Sequence, residues 1–264
     1  MNNRIEKCLD NLKSRNKKAL ITFITAGYGG YEMTEKAILE MEKSGADIIE
    51  LGVPFSDPIA EGCVIQNSSM MSLQRGTTLT GIFQTVKQIR TKTDIPLILM
   101  MYINSIFRYG KEDFFIQCRK CGIDGIIVPD LPFEERDEIS EQAEKNDIIS
   151  ISLVAPTSHE RIKKIVSESR GFIYCVSSTG VTGTRNSFKT DFKDFFSEIN
   201  KYSQIPDMLG FGISSPEQIK EIKKYFDGII VGSAIVKLIN EKNISGSLSD
   251  INSFTSRLRY ALDN

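Results

Sequence analysis

The chain has 264 residues, with 33 basic and 34 acidic side chains and a formal net charge of -1, so no long-range field draws it to nucleic acid or to an anionic membrane. Five irregularly spaced cysteines and a single histidine exclude a disulfide framework, a metal site resting on several histidines and a histidine-dependent triad. A small molecule or a protein remains as the expected partner.

The first segment, MNNRIEKCLDNLKSRNKK, alternates charges with single apolar residues. It reads as a short amphipathic helix and lacks the apolar core of a signal peptide. The apolar runs Leu20 to Ala26 and Ile95 to Ile103 are too short to span a bilayer, and a cytoplasmic location is expected. Short β-like runs then alternate with helical patterns to the end of the chain. Strands are predicted at Leu20–Thr25, Ile48–Leu51, Leu97–Met101, Gly125–Val128, Ile148–Leu153, Phe172–Val176, Met208–Gly210 and Gly228–Val231. Helices are predicted near Tyr31–Ser44, Leu79–Thr91, Lys111–Cys121, Glu134–Asn146, His159–Ser169, Phe188–Lys201, Pro216–Tyr225 and Ser233–Asn240, with a closing helix at Ser247–Ala261.

About eight strand–helix units in roughly 250 residues is the size of a (β/α)8 TIM barrel. The strands are very short and no position divides the units into halves, which favours the barrel over an open doubly wound sheet. Glycine and proline are scattered rather than gathered into a linker, so residues 1–264 read as one α/β domain with an extra N-terminal helix. In a barrel the chemistry belongs at the carboxyl ends of the strands. The stretch from Gly52 to Gly76 reads as a long lid loop, and Tyr102–Gly110 as a rim loop whose Ile103, Ile106 and Phe107 suggest a docking surface.

Glu50 stands among Ile48, Ile49, Leu51 and Val53, where an ionised carboxylate loses solvation that nothing nearby in sequence restores. A carboxyl with a raised pKa can both give and take a proton near neutral pH. Glu61, in a more polar loop, can stay ionised and stabilise a cation. The bland alternatives are a structurally paired acid at Glu50 and a solvated loop charge at Glu61. After the last three strands come STGVTGT, GFGISS and VGSAIV. Their coincidence at adjacent strand ends points to phosphate binding at Gly212, Gly232 and Ser233, with Gly183 closing from the sixth loop. Ordinary capped turns are the alternative, Ser215 before Pro216 being a good N-cap. Phe23, Met101, Tyr102, Ile127, Tyr174 and Phe211 are candidates for a flat apolar pocket. Cys118 and Cys121 read as ordinary helical cysteines rather than a redox or metal pair.

Taken together, ELGVPFSDPIAEG, LMMYINSIFRYG, VPDLPFEE, YCVSSTGVTGT, GFGISSPEQI and VGSAIVKLI resemble the tryptophan synthase alpha subunit, collinearly from about Leu20 to Asn240. The resemblance implies a barrel lyase that cleaves indole-3-glycerol phosphate to indole and glyceraldehyde 3-phosphate without metal or cofactor. It also implies a PLP-dependent beta-subunit partner in an αββα complex. It makes Glu50 the acid–base, Glu61 the charge-stabilising group and Tyr174 a further catalytic-site residue. Phe23, Thr182, Gly183, Phe211, Gly212, Gly232 and Ser233 become substrate-binding positions. Asp57, Pro58, Tyr102, Asn104, Phe107, Asp130, Pro132 and Glu134 become the partner-facing rim. Three residues depart from the family pattern: Glu61 replaces the usual aspartate, Cys63 replaces a proline, and Ser178 stands where arginine is frequent. The alternatives are a catalytically impaired barrel that mainly docks on and activates a beta subunit, a stand-alone lyase, and another phosphate-binding barrel such as an aldolase or epimerase.

Overall fold

A computed structural model describes residues 3–158, 160–176, 192–210, 212–239 and 243–264. The strands in chain order are β1 (Ala19–Thr25), β2 (Ile48–Gly52), β3 (Leu97–Met100), β4 (Gly125–Ile127), β5 (Ile149–Ser150), β6 (Ser152–Val154), β7 (Ile173–Val176), β8 (Asp207–Gly210) and β9 (Gly228–Val231). All pair in parallel, in the order β5-β4-β3-β2-β1-β9-β8-β7-β6. The two ends of that order, β5 and β6, are consecutive in the chain on either side of Ile151, so the ring closes through one broken strand. The strand expected at Ile148–Leu153 is thus two pieces. The first pairs with β4 through Gly125 and Ile126, the second with β7 through Ile173 to Cys175.

Side chains alternate across a strand, and two buried clusters follow that parity. Leu20, Ile24, Ile49, Leu51, Leu97 and Leu99 face the surrounding helices. Ile21, Phe23, Ile48, Ile98, Met100, Ile127, Tyr174 and Ile230 fill the barrel. Met101, expected in the pocket, belongs to the outer set, because it sits one residue off the inward series of Ile98 and Met100.

The helices are α1 (Arg4–Ser14), α2 (Tyr31–Lys43), α3 (Cys63–Gln74), α4 (Leu79–Ile89), α5 (Ile103–Tyr109), α6 (Lys111–Cys121), α7 (Asp137–Lys145), α8 (Arg161–Ser167), α9 (Phe192–Asn200), α10 (Pro216–Ile222), α11 (Ser233–Val236) and α12 (Ile244–Asp263). Helix α1 adds Ile5, Leu9 and Leu12 to the barrel-filling cluster, each a contribution of about 2 kcal/mol in apolar burial. Gly125 permits this: a Cβ there would stand 2.9 Å from Ile5 Cδ1. Polar bonds lock the helix in place. Asn3 Oδ1 accepts from Ile5 N at 2.9 Å, and Asn3 Nδ2 donates to the carbonyls of Asp124 and Asp147. Asp124 is bracketed by Arg4 at 2.9 Å and Arg90 at 2.7 Å.

Two helices replace expected loops. The Gly52–Gly76 lid contains α3, whose buried face is Ile65, Ser68, Ser69 and Ser72. A stripe of serines gives no apolar periodicity to read. Here the hydroxyls carry the docking: Ser68 Oγ lies 2.7 Å from Thr25 Oγ1, Ser72 Oγ donates to the Ala26 carbonyl, and Ser69 Oγ accepts from Phe55 N at 2.8 Å. The rim loop Tyr102–Gly110 contains α5, only seven residues long, whose first N–H, that of Ile103, donates to Asp130 Oδ1 at 3.0 Å. The cap comes from a different loop, so no local signal announces it. No helix among the described residues is long and apolar enough to cross a membrane.

Candidate active site

Glu50 is the third of the five residues of β2, paired in register with Phe23 on one side and Ile98 on the other. Parity therefore turns its side chain into the barrel, where it is 1 % exposed. Its Oε2 has no hydrogen-bond partner among the described residues. Burial, followed by the neighbouring charge of Glu61, lifts its pKa from the usual 4.5 to about 8. An acid in that state is largely protonated at neutral pH and close to balance just above it.

Glu61 precedes α3 and is 7 % exposed. The hydroxyl of Tyr102 donates to its Oε2, and Tyr102 Oη accepts from the backbone N–H of Ile59 at 2.7 Å and Ala60 at 2.9 Å. Burial raises the Glu61 pKa, while the Tyr102 bond pulls it back down. Tyr102 is itself 4 % exposed and stacks on Phe55, with ring centroids 4.7 Å apart. It thus faces the barrel, as the next inward position after Ile98 and Met100.

Two strand glycines make room for rings. A Cβ at Gly52 would stand 2.5 Å from Phe23 Cζ, and one at Gly210 would stand 2.3 Å from Tyr174 Cε1. Each ring therefore reaches across a neighbouring strand, and two aromatic walls result. Tyr174 feels the charges of both Glu50 and Glu61, so all three groups meet above the filled barrel. Gly52→Ala is expected to push Phe23 into that space. Its signature is a rise of roughly tenfold in the KM for substrate together with a loss of stability of about 1–3 kcal/mol, read from steady-state kinetics and a melting curve.

The phosphate candidates sit on the same rim. β8 and β9 pair Met208 with Gly228 and Leu209 with Ile229, and Gly212 and Gly232 follow the carboxyl ends of these neighbouring strands. Gly212 has φ +85, a left-handed conformation that favours glycine. Ser233 opens α11, in which the N–H groups of Ile235 and Val236 bond to the Gly232 carbonyl, so that only the first two N–H groups, those of Ser233 and Ala234, lack an acceptor within the helix. Ser215 caps α10 with a full capping box to Gln218. Ser178, Thr182, Gly183 and Phe211 lie outside the described residues, as does His159.

The partner-rim residues form no single class. Asp57, Asn104, Phe107, Pro132 and Glu134 are exposed, Pro58 and Asp130 half-buried, and Tyr102 buried. Of the three apolar residues expected to be presented by the 102–110 segment, only Phe107 is exposed; Ile106 is fully buried against the helical core. Glu134 is held by Arg161 through two bonds. The five cysteines are free thiols, and burial raises the pKa of Cys121 to about 11 and that of Cys118 well above its usual value, which makes both poor nucleophiles.

The sequence bears independent comparison with known proteins. A family model described as "Tryptophan synthase alpha chain" matches residues 9–260. The chain belongs to the tryptophan synthase alpha chain family. This is a family of carbon–carbon lyases that work with a beta subunit. Among its relatives, the tryptophan synthase alpha chain of Thermoanaerobacter sp. (strain X514) is 49% identical over 261 residues, covering 98% of this chain and 100% of its own. The crystal structure of tryptophan synthase subunit alpha from Legionella pneumophila str. Paris superposes with a TM-score of 0.89 at 36% identity, covering 100% of both chains. A structure of Mycobacterium tuberculosis tryptophan synthase matches with a TM-score of 0.89 at 31% identity, over 99% of both chains. Within a tryptophan synthase alpha fold, then, Glu50, Glu61 and Tyr174 converge at the carboxyl end of the barrel. The bond from Tyr102 to Glu61 is the feature that sequence reasoning missed. Its signal was available as the inward parity of Ile98, Met100 and Tyr102.

Proposed function

We propose that this chain cleaves indole-3-glycerol phosphate by a retro-aldol reaction and delivers indole to a PLP-dependent beta subunit in an αββα complex. The protonated Glu50 carboxyl donates its proton to indole C3, which leaves a cation delocalised onto the indole nitrogen. The Glu61 carboxylate accepts the indole N–H and offsets that charge. Glu50, now ionised, takes the proton of the glycerol hydroxyl adjoining the scissile bond. The C–O pair closes to a carbonyl as the carbon–carbon bond breaks, its electrons returning to the indole ring. Glyceraldehyde 3-phosphate and indole leave, and Glu50 is protonated again for the next turnover.

The observation that carries this reading is the pairing of two carboxyls in unlike environments, one buried with a partnerless oxygen and one held by a phenol. Phe23 and Tyr174 supply flat walls for the indole, and Gly212, Gly232 and Ser233 suit the phosphate. Gly212→Val is expected to raise KM by at least about tenfold with a smaller change in kcat, because methyl groups would stand where backbone approaches the anion and the left-handed φ would be strained. Steady-state kinetics with varied substrate would show it. An unchanged KM would move the phosphate elsewhere.

The test of the function is indole release from indole-3-glycerol phosphate, assayed with and without added beta subunit. Release that is slow alone and faster in the complex is expected. The 55–61 segment carries Glu61 and covers a small cavity lined by Phe23, Gly52, Met100 and Tyr102, so its closure would set the position of that carboxylate. Beta-subunit contacts accelerate turnover to the extent that they differ between the open and closed states. The exposed Ile59 and Asp57 on that segment are suited to such contacts. No release under either condition would leave a docking barrel as the better reading.

A further inference from the structure

The Tyr102 hydroxyl has a capacity of one donated and two accepted hydrogen bonds, and all three are filled. Both accepted bonds come from main-chain N–H groups, of Ile59 and Ala60. Its proton is therefore directed at the one acceptor left, Glu61 Oε2, 41 residues away in sequence. Stacking of the ring on Phe55 holds the phenol in this orientation. Glu61 is one methylene longer than the aspartate usual in the family, and a longer arm has more rotamers over which to scatter its charge.

We propose that Tyr102 is the positioning residue for Glu61, its saturated hydroxyl fixing where the longer arm presents its carboxylate and keeping that carboxylate in the acceptor, ionised state. This rests on the lyase reading above and deepens it. Two buried glutamates share this site: Glu50 from β2 and Glu61 before α3, with Asp130 from the loop after β4 adding a further negative charge to Glu61, and Tyr102 gives Glu61 its largest hydrogen-bonded support, ahead of the backbone N–H groups of Glu61 and Ala60. Like charges in one site favour keeping one of them protonated. Donation from Tyr102 decides which, leaving Glu61 ionised and Glu50 as the acid.

Tyr102→Phe keeps the stacked ring and removes only the hydroxyl. The expected result is a fall in kcat of about tenfold with KM held within about twofold. The acid limb of the pH–kcat profile should move upward, because Glu61 loses the bond that favours its charged form. Combined with Glu61→Gln, Tyr102→Phe should cost no further activity, since the side chain it positions is already gone. Losses that multiply in full, or an acid limb that stays in place, would overturn the proposal. A carbon-13 NMR titration of labelled glutamate carboxyls, with Glu61 assigned through Glu61→Gln, provides a readout free of substrate. Glu61 should titrate higher in folded Tyr102→Phe than in the parent, and an identical titration would overturn the proposal. If the loop fails to fold in Tyr102→Phe, Glu61→Asp in the intact chain carries the same test: the shorter arm should lose Tyr102 and titrate further above the ordinary aspartate value than Glu61 does above the ordinary glutamate value, and an equal or smaller displacement would overturn the proposal. Absence of indole release by the parent chain would count against the lyase reading alone, because the titration decides Tyr102 by itself.

Discussion

Glu50→Gln is expected to lower indole release from indole-3-glycerol phosphate by on the order of a thousandfold, the scale of a positioned acid–base group, while binding of a phosphate-bearing product analogue changes by less than about twofold. The amide keeps the shape of the carboxyl, can neither give nor take the proton, and leaves Gly212, Gly232 and Ser233 untouched. Single-turnover kinetics and an equilibrium binding measurement separate the two effects. Turnover within about tenfold of the parent would remove Glu50 from the mechanism.

The same substitution has a stability signature with a definite sign. The folded-state pKa of Glu50, about 8, lies above the usual 4.5, so between these values the folded state binds the proton more tightly than the unfolded chain. Stability is full below the unfolded value and is lost as pH rises through the folded one. Asp207, whose Oδ2 has no partner among the described residues and whose pKa burial raises to about 7, acts in the same direction. The parent chain should therefore be less stable at pH 8 than at pH 5. Glu50→Gln should remove part of that slope, gaining up to about 3.5 kcal/mol relative to the parent between pH 5 and pH 8. Urea melts at the two pH values measure it. Equal slopes in both chains would mean that Glu50 is far less desolvated than its burial implies. A flatter slope in Glu50→Gln would mean that the fold holds this carboxyl, the proposed acid, at a cost in stability.

Glu61→Gln is the second large effect. A neutral amide cannot offset the cation that develops on the indole nitrogen, a loss of about 3 kcal/mol or roughly a hundredfold in kcat. Glu61→Asp separates charge from reach. Tyr102 is anchored to the backbone of Ile59 and Ala60, so it cannot follow a carboxylate shortened by one methylene without moving the loop. A drop of about tenfold in kcat is expected, smaller than that of the amide because the charge survives. Activity equal to or above the parent would mean that the loop readily takes the aspartate position. Indifference to both substitutions would make Glu61 a structural carboxyl of the lid.

Much of this architecture was legible in the chain itself. The spacing of short apolar runs and amphipathic stretches determined a parallel barrel, because a strand or helix records its own burial in its own periodicity. A glutamate inside such a run, at Glu50, already announced a perturbed acid, since nothing adjacent could solvate it. Glycines after the last strands pointed for a similar local reason to the rim proposed to hold the phosphate. What the tertiary structure decided is what depends on residues far apart in sequence meeting in space. Helix α3 was hidden because its buried face is built of Ser68, Ser69 and Ser72, which bond to Thr25, Ala26 and Phe55 rather than packing as apolar groups. The short α5 depends on a cap from Asp130, and the reach of the Phe23 and Tyr174 rings across the barrel depends on glycines of neighbouring strands. The separation of roles between Glu50 and Glu61 depends on a phenol 41 residues from the carboxylate it holds. Periodicity reports which face of an element is buried; hydrogen-bond partners and pKa values are set only when the ring closes and fixes what lies across from that face.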